Sequence, residues 1–511
     1  MKKIIIIVSL IILLANISCD DELELEPVNS TTAEDFYTNA NNLRSGLYGI
    51  YSALQNRGIA SFSRLEGMSD NCISDGTFIP DIAAYATGES FVSGQFRSVE
   101  LFYSDNYVLI QRANLLLDNI DGIPAISDEE REGIRAEARA LRSYSYMNLV
   151  YLFGDVPLLS TFTERDAILS VSRTPRNEVI QFVLDEFEAT AGVLANTPAT
   201  DGRLSKQAVL GLRARAMLYE ARLGNQSWVN ALSAVNTALT EANNGGSMLI
   251  DTDSPDLDYQ SLFNETNEGN AEFIFSIRNN STDLGENYLN NYSWQAGALF
   301  TYVHQNLADA YSYADGTEYS PTDDTYIDRD PRLSANVMHE GLSFGGATYD
   351  GTDNGGFVGA NSIGTATNLF QHKFVTTDFS TTWNEGTLDL PVLRYADLLL
   401  MQAEALNETG GDSYPQLNAV RDRAGLPALS GLSQDELRDA IILERRLEFA
   451  FEGLRWFDLI TLGIAENSIN GIQEERADII RGFTTGRNEL LPFPQSEIEL
   501  NANLSPNPGY N

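Results

Sequence analysis

Apolar residues recur at three- and four-residue intervals through two long blocks of the chain, and this spacing predicts amphipathic helices. In the first block, Leu43, Leu47, Ile50, Tyr51 and Leu54 mark one helix, and Tyr107, Ile110, Leu115 and Leu117 mark a second. Ser127-Asp128-Glu129-Glu130 reads as an N-cap with an acidic first turn. The helix it opens runs through Ala136, Ala140, Tyr144 and Met147 and stops at Phe153-Gly154-Asp155-Val156-Pro157. Asn177 to Leu194, Lys206 to Arg222 and Trp228 to Glu241 read as three more helices, and Ala208, Gly211, Ala214 and Ala216 permit close packing. From about 243 to 390 the texture changes to Gly, Asn, Asp, Thr, Ser and Tyr, interrupted by β-like runs such as Glu272 to Ile277. Helices return at Val392 to Glu408, Tyr414 to Ala424 and Ser433 to Leu454. The pattern is mainly α, with helical repeats of tetratricopeptide-like packing, helical blocks at about 36–242 and 392–460, and a loop-rich insert between them. Loops on a rigid scaffold are where binding chemistry is usually carried.

The first residues follow a different rule. Lys2 and Lys3 precede an almost wholly apolar run from Ile4 to Ala15, the n- and h-regions of a secretory signal. The run is too short to span a bilayer stably and lacks a basic stop-transfer flank. Cys19 closes it after Asn16-Ile17-Ser18 and reads as a bacterial lipobox cysteine, with Asn16 standing where an aliphatic residue is usual. Residues 1–18 are then a signal peptide, 19–33 a lipidated acidic tether, and 34–511 a single domain. Acylation of Cys19 anchors the chain, since each buried CH₂ contributes roughly 0.8 kcal/mol. A cleaved signal with an unmodified cysteine, or an uncleaved anchor, is the alternative.

Charge narrows the partners. Against 33 Lys and Arg stand 72 Asp and Glu, a net charge of −39. Nucleic acid, which needs cationic phosphate contacts, is excluded, as is adhesion to anionic lipid through a basic face. Cys72 is the only other cysteine, so with Cys19 lipidated no intrachain disulfide forms.

Few constellations carry chemistry. Glu444, Glu448 and Glu452 lie at i, i+4 and i+8 on one helical face, as paired carboxylates of a glycosidase could. Interleaved Arg445, Arg446 and Arg455 and the apolar Leu447, Phe451 and Leu454 favour a structural ion-paired network, with Trp456 as a packing residue. Gly341-Leu342-Ser343-Phe344-Gly345 matches a nucleophile elbow by letters only, because the Gly/Asn-rich stretch after it predicts no helix. His304, His339 and His372 fit no metal spacing, and Asp251, Asp253, Asp256 and Asp258 lack the glycine of a calcium loop. No catalytic residue, metal or cofactor is expected. What remains is a concentration of rings, Tyr288, Tyr292, Trp294, Tyr302, Tyr311 and Tyr313, in a Gly/Asn-rich context, with Trp383 in another polar loop. Flat rings pack on the C–H faces of sugars, and amide and acidic groups take their hydroxyls. Tyr288, Tyr292, Trp294, Tyr302 and Trp383 are the candidate ligand-binding rings, with plain packing as the alternative for both tryptophans.

An ordered series of segments resembles the SusD/RagB family of outer-membrane nutrient-binding lipoproteins of the Bacteroidetes. The series comprises Ala136 to Tyr146, Phe153 to Pro157, Asp330 to Leu333, Leu393 to Ala405, Arg421 to Leu426, Glu444 to Leu459, Leu491 to Pro494 and Asn507 to Tyr510. The resemblance implies a helical scaffold of four tetratricopeptide-like units with an irregular ligand-binding part. It implies a surface lipoprotein on the exterior of the outer membrane, a lid on a SusC-like TonB-dependent transporter that captures glycans, or in some members peptides. Asp20, Asp21 and Glu22 match the acidic residues associated there with surface display. By position, Arg64, Glu66, Asp70 and Asn71 correspond to a loop bordering the ligand in family members. A peptide-import receptor is one rival. A surface glycoside hydrolase is the other, and it requires Glu444 to be solvent-accessible.

Overall fold

The computed structural model describes residues 33–60, 62–74, 82, 85, 97–197, 202–252, 254–279, 301–323, 325–344, 347–349, 351, 367–374, 388–474 and 479–510. Among the described residues, the longest helices of the first block are α1 (Ala40–Ala53), α2 (Arg97–Asn119), α3 (Asp128–Phe153), α4 (Arg176–Ala191), α5 (Lys206–Arg222) and α6 (Trp228–Asn244). In the last third of the chain the longest described helices are α7 (Tyr395–Thr409), α8 (Tyr414–Arg423), α9 (Gln434–Glu448) and α10 (Arg455–Thr461). Their boundaries follow local chemistry. Ser127 caps α3 by accepting from the Glu130 amide, Ser205 and Ser227 do the same for α5 and α6, and α3 ends at Gly154 with φ +73°. Ser433 and Glu436 form a reciprocal capping box on α9.

Each helix from α2 to α7 packs against the next in sequence, and α8 and α9 then pack on α7. This neighbour-to-neighbour stacking gives the mainly helical, tetratricopeptide-like scaffold expected. Gly211 of α5 explains one close approach: a Cβ there would stand 2.2 Å from Leu393 Cδ2. One apolar cluster draws on residues from Leu43 to Leu504, and a smaller one joins α7, α8 and α9 through Leu400, Leu417, Val420 and Ile441.

Two expected helices are corrected. The segment predicted to begin a helix at Val392 instead holds a strand, β6 (Leu390–Arg394), antiparallel to β2 (Phe273–Ile277), and α7 starts only at Tyr395. A short apolar run fits a buried strand as well as a helix, and all five β6 residues are buried. The helix predicted over Ser433 to Leu454 ends at Glu448. Phe451 (φ +68°) and Gly453 (φ +74°) turn the chain into α10.

Candidate functional site

A small sheet organises the loop-rich region. Its strands run in the order β1 (Cys72–Ser74), β3 (Thr301–Val303), β5 (Phe370–Gln371), β4 (Val337–Met338), all antiparallel to their neighbours. Ser74 pairs with Thr301, Tyr302 with Phe370, and Gln371 with Val337. Ser74, Thr301 and Gln371 therefore close the same end of the sheet. There the chain leaves β1, enters β3 and leaves β5.

The root of this sheet is held by buried charge. Asp70 accepts from Arg455 Nε and Nη2, both at 2.8 Å, a bidentate pair. Arg446 donates to Asn71 Oδ1 at 2.8 Å, to the Asp70 carbonyl and to Asn306 Oδ1. Arg481 donates to the carbonyls of Cys72 and Met68, and the His304 amide to the Asn71 carbonyl. Burial works against the Asp70 charge, yet Arg446 and Arg455 hold its carboxyl far below the usual carboxylate range. Glu66, also fully buried, behaves oppositely. Burial pushes it up to about 7, against hydrogen bonds from Asn71 Nδ2 and the Gly453 amide.

Beneath the root lies a second network. Arg332 meets Asp330 at 2.9 Å, Glu444 at 2.6 Å and Glu448 at 3.1 Å. Arg394 meets Glu272, Glu448 and Glu452 at 2.5–2.9 Å, and Arg423 reaches Glu272 and Glu448. Lys373 Nζ bonds Glu452 at 2.5 Å and the Tyr259 hydroxyl at 2.8 Å, over the Phe263 ring. Burial pushes Lys373 down to about 8, against the pull of Glu452. Desolvation alone would raise Glu448, but Arg423, Arg394 and Arg332 hold it well below its ordinary value. The Glu444 carboxylate is 2% exposed and bound by Arg332 and Arg421, so it is not presented to a substrate.

Residues 271–510 match the SusD family, and residues 23–218 match the family described as starch-binding, associating with outer membrane. The chain belongs to the SusD/RagB family. A SusD-like protein of Formosa agariphila is 27% identical over 97% of this chain and 96% of its own length. Among solved structures, a SusD-like protein of Bacteroides fragilis superposes with TM-score 0.80 at 24% identity, over 93% of this chain and 98% of that one. A laminarin-binding SusD-like protein superposes with TM-score 0.74 at 25% identity, over 93% and 100%.

The SusD/RagB segments that carry the resemblance are largely the buried networks themselves. Arg332 comes from Asp330–Leu333, Arg394 and Asp397 from Leu393–Ala405, Arg423 from Arg421–Leu426, and Glu444 to Asp458 from the longest segment. Trp456 is 1% exposed and packs edge-on to Tyr85, a core position. Ser343–Phe344 pairs with Ala347–Thr348 in a short hairpin, so the G-x-S-x-G match is not an elbow. Asp258 accepts from the Thr252 amide and hydroxyl and from the Ser254 amide, fixing the turn before a helix at Pro255–Ser261. Among the described residues no His, Cys, Asp or Glu group of metal-binding size occurs.

The candidate ligand residues divide three ways. Cys19, Tyr288, Tyr292, Trp294 and Trp383 lie outside the described residues. Tyr302 sits in β3, its backbone paired with Ile73 and Phe370. Arg64, Asp70 and Asn71 are buried, and the polar atoms of Asp70 and Asn71 are taken by Arg455, Arg446 and Glu66. Asp70 and Asn71 support the sheet root, Arg64 donates to the Arg57 carbonyl, and none of the three forms a face open to solvent. Tyr311, counted with the rings of the middle region, is a core residue whose hydroxyl donates to the Leu447 carbonyl. Nearer the surface, Tyr313 donates to Asp323 at 2.8 Å, and the Arg329 guanidinium stacks 3.3 Å from the Tyr319 ring centroid. Glu66, placed with Arg64, Asp70 and Asn71 in the loop bordering the ligand, is buried too, while no pattern marked Glu272 or Lys373 as members of the ion-paired network. A lysine flanked by His372 and Phe374 gives no periodic signal that it is interior.

Proposed function

We propose that this SusD/RagB protein is a cell-surface lipoprotein that captures oligosaccharide and delivers it to a partner TonB-dependent outer-membrane transporter. In this reading Cys19 carries the lipid, and Trp294, Tyr288, Tyr292 and Tyr302, with Trp383, offer rings to the C–H faces of the sugar. The observation that carries the reading is the near full-length likeness to a laminarin-binding SusD-like protein at TM-score 0.74. The burial of Glu444 and Glu448 within ion pairs supports binding without hydrolysis. Among the described residues no helix is long and apolar enough to cross a membrane, and attachment through Cys19 needs none.

Affinity electrophoresis against a panel of polysaccharides, with Trp294→Ala beside the wild type, tests this. The expected result is retardation by at least one glucan, weakened in the variant, with the polysaccharide recovered uncut. Retardation by no glycan, with tight binding of a peptide mixture, would replace this reading with a peptide-import receptor. Copurification with a TonB-dependent transporter from the native membrane tests the delivery step.

A further inference from the structure

A cavity of about 40 Å³ lies where the Arg57–Ala60 and Phe62–Met68 helical turns meet α3 and α5. Gly58, Leu65, Met147 and Leu152 line its apolar side, and Arg215 and Tyr219 stand on its wall. Tyr219 is 2% exposed, and its ring is fixed edge-on to Tyr151 at 5.2 Å and stacked on Phe457 at 6.2 Å. Its hydroxyl has no protein partner among the described residues. A buried hydroxyl without a partner loses its hydration and gains nothing in return. Purely apolar cavities stay dry, but a water needs only about 10–15 Å³ and two or more polar groups. This cavity has room for about three or four waters, and Arg215, Asn148 and Glu452 share its wall with Tyr219.

We infer that the cavity is a hydrated internal site in which an ordered water bonds Tyr219 Oη and a second polar group on the wall. The ligand class is water rather than an apolar molecule, because the phenol is locked in place by its ring neighbours and cannot swing to a protein acceptor.

Crystal structures of the mature protein and of Tyr219→Phe, at a resolution that shows ordered water, test the assignment. The wild type is expected to show a density peak about 2.7–3.2 Å from Tyr219 Oη that is lost or displaced in the variant. A featureless cavity, a hydroxyl turned onto a protein acceptor, or a peak unmoved in the variant would overturn it. Urea unfolding gives an independent reading. Removing a water-bonded hydroxyl lowers the midpoint, whereas removing an orphaned hydroxyl from a dry cavity leaves it unchanged or raises it, and that result also overturns the inference.

Discussion

Arg455 grips Asp70 through two parallel bonds of 2.8 Å, across 385 positions of sequence. The pair fastens the turn after the Phe62–Met68 helix, and so the start of β1, to the first turn of α10. A carboxylate this deeply buried is kept charged only by its partners. Asp70→Asn leaves Arg455 and Arg446 facing a neutral amide, and the expected loss is about 3–5 kcal/mol of unfolding free energy by urea titration. Arg455→Lys keeps the charge but not the fork, and is expected to lose part of the same amount. The Asp70 carboxyl titrates below its unfolded value, so its stabilisation is complete above roughly pH 4 and disappears as the medium grows more acid. Asp458, held at about 2 by Arg445 and Arg222 against the effect of burial, adds loss in the same direction. The acid limb of the pH–stability curve should therefore flatten in Asp70→Asn.

Glu66 predicts the opposite slope a few residues away. Its carboxyl titrates at about 7 in the fold, against 4.5 for the unperturbed group. Between those values the folded protein holds a proton that the unfolded chain has released. Stability from this residue is thus fully present below about pH 4.5 and is lost as pH rises to 7. The urea midpoint of the wild type should rise as pH is lowered from 8 to 5, and the rise should shrink in Glu66→Gln. An identical slope in the variant would assign the effect to other groups.

The contrast between these two acids shows what could be read in advance. Helix periodicity located α3, α5 and α6 to within a few residues, with Ser127 read as the cap of α3, and it placed the start of α9 but not its end, because these determinants are local. The interleaving of Glu444, Glu448 and Glu452 with arginines correctly signalled a paired interior network. The turn at Phe451–Gly453 was not legible, since it depends on tertiary contacts such as Glu66 with the Gly453 amide. Asp70 and Asn71 carry the letters of a ligand-facing loop, yet Arg446 and Arg455, nearly 400 positions away, turn them inward. No local pattern contains that information. Lys373 was missed for the same reason, its carboxylate partner being 79 positions distant.

Gly58 gives a steric prediction close to the sheet root. A Cβ there would lie 1.9 Å from the Leu101 carbonyl oxygen and 2.9 Å from Asp105 Oδ2, while the Gly58 amide donates to that same carboxylate at 2.8 Å. The obstacle is the backbone of α2, which cannot rotate away as a side chain can. Gly58→Ala gains up to about 1 kcal/mol of helix propensity. It loses about 1–3 kcal/mol or more to overpacking, together with the Asp105 bond. A net drop in the thermal midpoint is expected, and an unchanged midpoint would mean that the Arg57–Ala60 turn shifts freely on α2.

Glu448 decides between a structural and a catalytic carboxylate face. Its oxygens are shared among Arg332, Arg394 and Arg423, and Arg394 and Lys373 are further bridged through Glu452. A catalytic acid in a cleft can be replaced by its amide with the fold intact and turnover gone. A carboxylate at the centre of a desolvated cluster cannot, because the amide leaves several buried cations short of one negative charge. Glu448→Gln is therefore expected to cost about 3–5 kcal/mol, and Glu444→Gln less, since Arg332 keeps Asp330 as well as Glu448. Far-UV circular dichroism through a urea titration reads the loss. Polysaccharide retardation by whatever fraction remains folded should match that of the wild type. A Glu448→Gln protein as stable as its parent would show that the arginines need no such counter-charge, and would reopen the face to a chemical role.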